Sequence, residues 1–108
     1  MKPTLAPTIM AVVFALPVNA MTDLDAYRMA SELGNILASE AFCGLAYDQN
    51  AIADYIATNV PPERVDFSNL LTGHANLQKM VLEDLSPSTK TAHCAAVTLS
   101  ARHLGFTP

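Results

Sequence analysis

The stretch TDLDAYRMASELGNILASEAFCG, residues 22–44, shows the clearest helical pattern in the chain. Its apolar residues recur every three or four positions, which is the spacing of one face of an α-helix. They are Ala26, Met29, Ala30, Leu33, Ile36, Leu37 and Ala41. The hydroxyl of Thr22 is a suitable N-cap, and the two aspartates of the next turn favour the helix dipole. We therefore predict a first helix that continues to about Phe42 and is ended by Gly44.

A second helix is predicted between a cap residue and a pair of prolines. Asp48 is a suitable N-cap, and Ile52, Tyr55 and Ile56 lie on one side of the helix that follows. The proline pair that begins at Pro61 ends it, because a proline restricts the residue before it and does not continue a helix.

The rest of the chain predicts two more helices. Asp66 is a candidate cap for the third helix, and Gly73 is a candidate break or kink within it. The apolar residues expected to share one face of it are Phe67, Leu70, Leu71, Leu77, Val81 and Leu85. Ser86 followed by Pro87 is the order that begins a helix, and Gly105 is placed to end the fourth one. One side of that helix carries Cys94, Val97, Ala101 and Leu104.

These four segments define the expected fold class. No segment alternates polar and apolar residues as a half-buried β-strand does, and no Asn-Gly hairpin or internal repeat occurs. A chain of 108 residues has room for one domain. We therefore predict an all-α fold, a compact array of four helices.

Residues 1–20 have the three parts of a secretory signal peptide. Lys2 supplies the positive start, an apolar run covers residues 5–16, and a small-residue cleavage site ends at Ala20. A membrane-spanning helix needs about 20 apolar residues, whereas this run is shorter and ends at Pro17. Cleavage is therefore favoured over an uncleaved anchor.

Cleavage between Ala20 and Met21 leaves residues 21–108 as a single helical domain, which we expect to be exported, either periplasmic or secreted. This domain carries five Lys and Arg against ten Asp and Glu, a formal charge of −5. The five cations are scattered, whereas binding to a phosphate backbone needs them clustered. The sequence therefore predicts no nucleic-acid partner, and no membrane contact after cleavage.

The two cysteines are the most specific chemical signal. An exported chain meets an oxidising compartment, where Cys43 and Cys94 have each other as partner. Their bridge closes a loop of about 52 residues and is expected to stabilise the fold by roughly 4 kcal/mol. A redox-active pair or metal ligands are the alternatives, but there is no Cys-x-x-Cys, and the three histidines lack compact ligand spacing. We predict a structural disulfide, no metal and no cofactor.

This disulfide would gather residues that are distant in sequence. Glu40 lies one turn before Cys43, Tyr47 four residues after it, and His93 next to Cys94. Glu40 falls within the apolar stripe of the first helix, where a carboxylate is desolvated unless it is paired. A carboxylate beside an imidazole is able to perform acid–base chemistry. Glu40, His93 and Tyr47 are thus the candidate catalytic group; the alternative is a solvent-facing glutamate and a histidine that covers the bridge.

The other two histidines have simpler interpretations. His74 lies on the apolar face of the third helix, which favours a core or interface histidine over a ligand or catalyst. His103 lies near the end of the fourth helix, where a cation suits the dipole. No motif of a known hydrolase or metalloprotease occurs. The sequence therefore favours a protein that is not an enzyme.

Two short motifs give the chain a family resemblance. Cys43-Gly44-Leu45-Ala46-Tyr47-Asp48, followed by Thr91-Ala92-His93-Cys94, resembles small exported two-cysteine helical proteins of bacteria that have no settled function. The resemblance implies an all-α, disulfide-linked domain and supplies no catalytic residues. In size, export and a single wide disulfide the chain is also similar to acid-activated periplasmic chaperones, although those are richer in lysine.

Three functions follow as expectations, and the oligomeric state stays open. The first is a small exported interaction or binding module with a protein partner, because a foldable core comes without a recognisable reaction centre. The second is an acid-stress periplasmic chaperone, because protonation of ten carboxylates would reverse the net charge. The third is a small hydrolase that uses Glu40 and His93 near the disulfide.

Overall fold

The computed structural model describes residues 21–108, so the predicted signal peptide and Ala20 lie outside the described residues. Four helices follow in order: α1 (Asp23–Phe42), α2 (Gln49–Asn59), α3 (Phe67–Glu83) and α4 (Pro87–His103). They make up 74% of the described chain, which contains no strand. The predicted all-α fold of four helices is confirmed.

Three of the four predicted caps make the expected hydrogen bonds. Thr22 and Asp25 form a reciprocal capping box at the start of α1. Asp48 accepts from backbone amides of the first turn of α2, and Ser86 accepts from the Thr89 amide at the start of α4. Asp66 precedes α3 but makes no capping bond, because its carboxylate lies 3.1 Å from the guanidinium of Arg64.

Helix α1 is the central element and packs most extensively against α3. Arg64, just before α3, donates a hydrogen bond to Asp23 at the start of α1, and Gln78 of α3 donates one to Asn35 further along α1. Both segments therefore advance in the same direction, and the two helices are parallel. At the crossing, a Cβ placed on Gly34 would lie 3.0 Å from the His74 Cβ. A glycine is therefore needed at this position for the helices to approach so closely.

The predicted apolar face of α3 is buried only in part. Leu77 and Val81 are 58% and 49% exposed, whereas Leu82, which was not assigned to this face, is 2% exposed. The contact at Gly34 explains the difference, because it places the backbone at His74 and Ala75 against α1, and Leu82 lies two helical turns after Ala75 on the same side. Gly73 does not break α3, which continues to Glu83.

The predicted disulfide is confirmed. Cys43, the residue that caps the end of α1, is bonded to Cys94 within α4, with a Cα–Cα distance of 5.4 Å. Gly44 and Gly105 follow α1 and α4 with φ angles of 67° and 82°. This left-handed geometry suits glycine and accounts for both predicted helix ends.

The core contains residues from both ends of the described chain. Small residues of α1 and α4 are fully buried in one core cluster, and the Phe106 ring, also fully buried, lies against Tyr47 and Tyr55. The small buried residues are Ala26, Ala30 and Ala101. None of the helices in residues 21–108 has the length and hydropathy to cross a membrane.

Candidate functional site

Glu40, the first of the three candidate catalytic residues, fixes the turn that follows α1. Its carboxylate accepts a 2.7 Å hydrogen bond from the backbone amide of Tyr47, and its backbone carbonyl accepts from the amide of Leu45. The carboxylate is half-buried, and this hydrogen bond supplies the polar partner that a carboxylate within the apolar stripe needs.

Tyr47 is buried beside it. The phenol donates a 2.8 Å hydrogen bond to the carbonyl oxygen of Ile36, and the residue is 6% exposed. Burial, together with the negative charge of Glu40, raises the pKa of Tyr47 to about 12. The phenol therefore stays protonated at neutral pH and donates a hydrogen bond to the backbone of α1.

His93 has a different partner. Its Nε2 lies 2.8 Å from the hydroxyl oxygen of Ser39, which is fully buried and donates its proton to the carbonyl of Asn35 at 2.7 Å. Because the serine has one proton, the bond between Ser39 and His93 uses a proton on the histidine nitrogen. The His93 ring also packs edge-on against Phe42, over which the Lys90 ammonium lies 4.6 Å from the ring centre.

The disulfide thus brings Glu40, Tyr47 and His93 to the C-terminal end of α1, but the carboxylate and the imidazole do not interact directly. In the described part of the chain, no hydrogen bond or ion pair connects Glu40 with His93, since Tyr47 and Ser39 occupy them separately. Ser39 beside His93 has the residue types of a nucleophile and a base, but its oxygen is fully buried and bonded to a carbonyl. These contacts hold α4 and the turn after α1 in place.

Sequence reasoning missed Ser39. The only signal was its position one turn before Cys43, on the side of α1 where the disulfide fixes α4.

Apart from this group, a concave region lies between α1, α2 and α4. It consists of two cavities, which together we call the groove. Its first cavity has a volume of about 500 Å³ and lies between the first turns of α1 and the end of α2. Its second cavity, of about 380 Å³, lies between the middle of α1, Tyr55 of α2 and the last turns of α4. Met29 and Glu32 line both cavities, so the two cavities are neighbours along α1.

The two halves of the groove differ in chemistry. The first cavity carries three charged side chains of α1: Asp25, Arg28 and Glu32. The lining of the second is mainly apolar, with polar groups from Glu32, Tyr55, Ser100 and His103. Both volumes fall within the range of ligand sites in proteins, which is about 300–1,000 Å³.

Sequence analysis did not predict the groove, for a physical reason. Helix α2 has only 11 residues and none of them is buried, so it covers α1 incompletely. Met29 was predicted to lie in the core stripe of α1, whereas it lines the gap that α2 leaves, together with Glu32.

No group of His, Cys, Asp and Glu side chains in residues 21–108 is placed to hold a metal ion. No protein-family model matches the chain, and no curated protein or solved structure is detectably similar to it. The function must therefore be argued from the groove itself.

Proposed function

We propose that the protein is an exported binding module whose groove takes apolar side chains of a partner polypeptide next to a basic residue. The observation that carries this proposal is that Met29 and Glu32 line both cavities, which places a mainly apolar cavity next to a charged one. Export is supported by the leader-like sequence of residues 1–20 and by a disulfide, which is compatible with an oxidising compartment.

The dimensions of the groove favour a polypeptide. It follows α1 from Asp25 to Ile36, a length of about 16 Å at the helical rise per residue. An extended segment of about five residues has this length. Leu99 stands 64% exposed at the edge of the second cavity, where it is available to contact an apolar side chain.

The charges favour a basic segment. Asp25 and Glu32 lie three and four residues from Arg28, so the three side chains share one side of α1 and leave a net negative charge. None of them is in an ion pair within the described chain, where both ion pairs involve Arg64. A complementary charge on the partner orients it and suppresses acidic competitors.

Two short synthetic peptides test the proposal. Both carry a central Leu-Phe pair, flanked by lysine in one and by glutamate in the other. Titrated into ¹⁵N-labelled, disulfide-bonded protein, the lysine peptide should shift the amide signals of Met29, Tyr55 and Ser100. The glutamate peptide should bind about tenfold more weakly or worse, which corresponds to about 1.4 kcal/mol.

Two tryptophan variants provide the matched control. Ser100→Trp fills the second cavity from the exposed side of α4 and should abolish the shifts. Ser88→Trp makes the same change at an exposed position in the first turn of the same helix, outside the lining of the groove, and should leave them intact. Absence of saturable binding, or equal binding by both tryptophan variants, would refute the proposal.

The two other functions expected from sequence have less support. A hydrolase needs Glu40 and His93 to act together, and each is bonded to a different partner. An acid-activated chaperone remains an expectation from the count of carboxylates alone, and unfolding near pH 3 with protection of a client protein would revive it.

A further inference from the structure

Met29 lies where the two cavities of the groove adjoin. Its half-buried side chain lines both of them and also packs against the core cluster, so α1 holds the thioether at this junction. A thioether differs chemically from the aliphatic side chains around it, because oxidants convert it to a polar sulfoxide. Met29 is thus the place where oxidation would change the lining of both cavities.

No free thiol competes with this thioether for an oxidant. The chain has two cysteines, and both are held in the disulfide. The methionines of residues 21–108 are Met21, Met29 and Met80. Of the two cavities, Met21 lines only the first, and Met80 is 66% exposed on α3, outside both. Among the described methionines, Met29 alone therefore lines the mainly apolar second cavity.

We propose that Met29 is an oxidation site that controls binding in the groove, with hydrogen peroxide as its reactant; this inference rests on the proposed function. The electron pair of the sulfur forms a bond to one peroxide oxygen, and the O–O bond breaks. The proton of the transferred oxygen passes to the departing hydroxide, so the products are methionine sulfoxide and water. The sulfur loses two electrons and the peroxide gains them. Methionine sulfoxide reductases reverse the change.

The sulfoxide weakens binding because its oxygen needs water. On α1, the neighbours of Met29 in the second cavity are Glu32, Leu33 and Ile36, and none of these side chains donates a hydrogen bond. An apolar side chain of the partner removes the water around the sulfoxide when it enters this cavity. Burial of a polar group without a hydrogen bond is unfavourable, so oxidation should weaken binding of the lysine peptide by at least about tenfold.

Peroxide treatment followed by mass spectrometry tests whether the thioether is accessible, without any ligand. After reduction of the disulfide, trypsin places the three methionines in separate peptides, which are residues 21–28, 29–64 and 80–90. Met29 should be oxidised in the folded protein on the same timescale as the exposed Met80. Saturating lysine peptide should protect Met29 and leave the rate at Met80 unchanged. If Met29 resists oxidation until the protein unfolds, the proposal is wrong.

Two leucine variants provide the matched control, because leucine keeps most of the apolar volume of methionine. Met29→Leu should bind the lysine peptide equally well before and after peroxide treatment. Met80→Leu makes the same change on α3 and should lose binding on oxidation as the wild type does. Met29→Gln, which carries a polar group at the same position, should bind weakly without oxidant. Far-ultraviolet circular dichroism of each sample separates a change in the groove from unfolding.

This design separates the failure of the inference from that of the proposed function. If the untreated wild type does not bind the lysine peptide, the proposed function is wrong and the inference falls with it. If the untreated protein binds and full oxidation of Met29 leaves the affinity unchanged, only the inference is wrong. Loss of binding in oxidised Met29→Leu would likewise overturn it, because another residue would then be responsible.

Discussion

Replacement of Phe106 by alanine should remove a large share of the stability of the fold. The side chain is fully buried, and its ring centre lies 5.9 Å from that of Tyr47 and 5.7 Å from that of Tyr55. Its backbone carbonyl accepts a 2.8 Å hydrogen bond from the amide of Asp48, which holds the segment in place whatever the side chain. The variant should therefore open a cavity between the turn after α1, α2 and the end of α4.

The magnitude follows from complete burial. Phe→Ala substitutions in protein cores cost about 3–5 kcal/mol, through lost transfer energy and the cavity that remains. The two aromatic contacts of Phe106 place this variant in the upper half of the range, at about 4 kcal/mol, because each such pair adds about 0.5–1.5 kcal/mol. A domain of this size has a free energy of unfolding of about 4–13 kcal/mol, so the loss is a large fraction of the total.

Urea denaturation of the oxidised protein, followed by far-ultraviolet circular dichroism, measures this loss. Phe106→Leu should lose less than about 1.5 kcal/mol, because it keeps most of the apolar volume. Phe42→Ala is the matched control, since that ring is only half-buried and packs against His93 and Lys90. If Phe106→Ala costs less than Phe42→Ala, the assignment of Phe106 to the core is wrong.

Three further variants test the contacts near the disulfide. Replacement of Cys43 and Cys94 by serine frees a loop with a sequence separation of 51 residues and should lower the free energy of unfolding by about 4 kcal/mol; a loss below about 1 kcal/mol in urea would contradict this. Ser39→Ala deprives the His93 ring of its hydrogen-bond partner and should cost about 1–2 kcal/mol by the same assay. Tyr47 is neutral in both states below pH 10, and between about pH 10 and about 12 only the unfolded tyrosine ionises, so stability should fall over that interval. Tyr47→Phe should flatten this alkaline decline; an unchanged profile would show that Tyr47 does not cause it.

The helices were predictable because their boundaries depend on local chemistry. Thr22, Asp48 and Ser86 satisfy amides within their own first turns, and the glycines after α1 and α4 adopt the left-handed geometry that ends a helix. The disulfide was predictable for another local reason, since the two cysteines had no competing partner. None of these assignments required knowledge of how the helices pack.

The orientation of α3 and the groove were not predictable, because both depend on packing between helices. The sequence pattern of α3 offers two apolar faces, one through Leu77 and Val81 and the other through Leu82. Which of them is buried is decided by the close approach of Gly34 to the backbone at His74 and Ala75, because Leu82 lies two helical turns after Ala75 on the same side. The groove likewise results from the incomplete cover that a short α2 provides.

The polar residues of α1 explain how a core built largely from small side chains fixes one arrangement of helices. Alanines make shallow contacts that tolerate sliding, so apolar packing alone specifies the register of α1 weakly. Two successive turns near its C-terminal end instead carry one hydrogen bond to each neighbour: Asn35 to Gln78 of α3, Ser39 to His93 of α4, and Glu40 to the turn before α2. A shift of any neighbour by one residue would leave a buried or half-buried polar group unpaired. The residues that suggested a catalytic group from the sequence thus set the positions of the helices that form the groove.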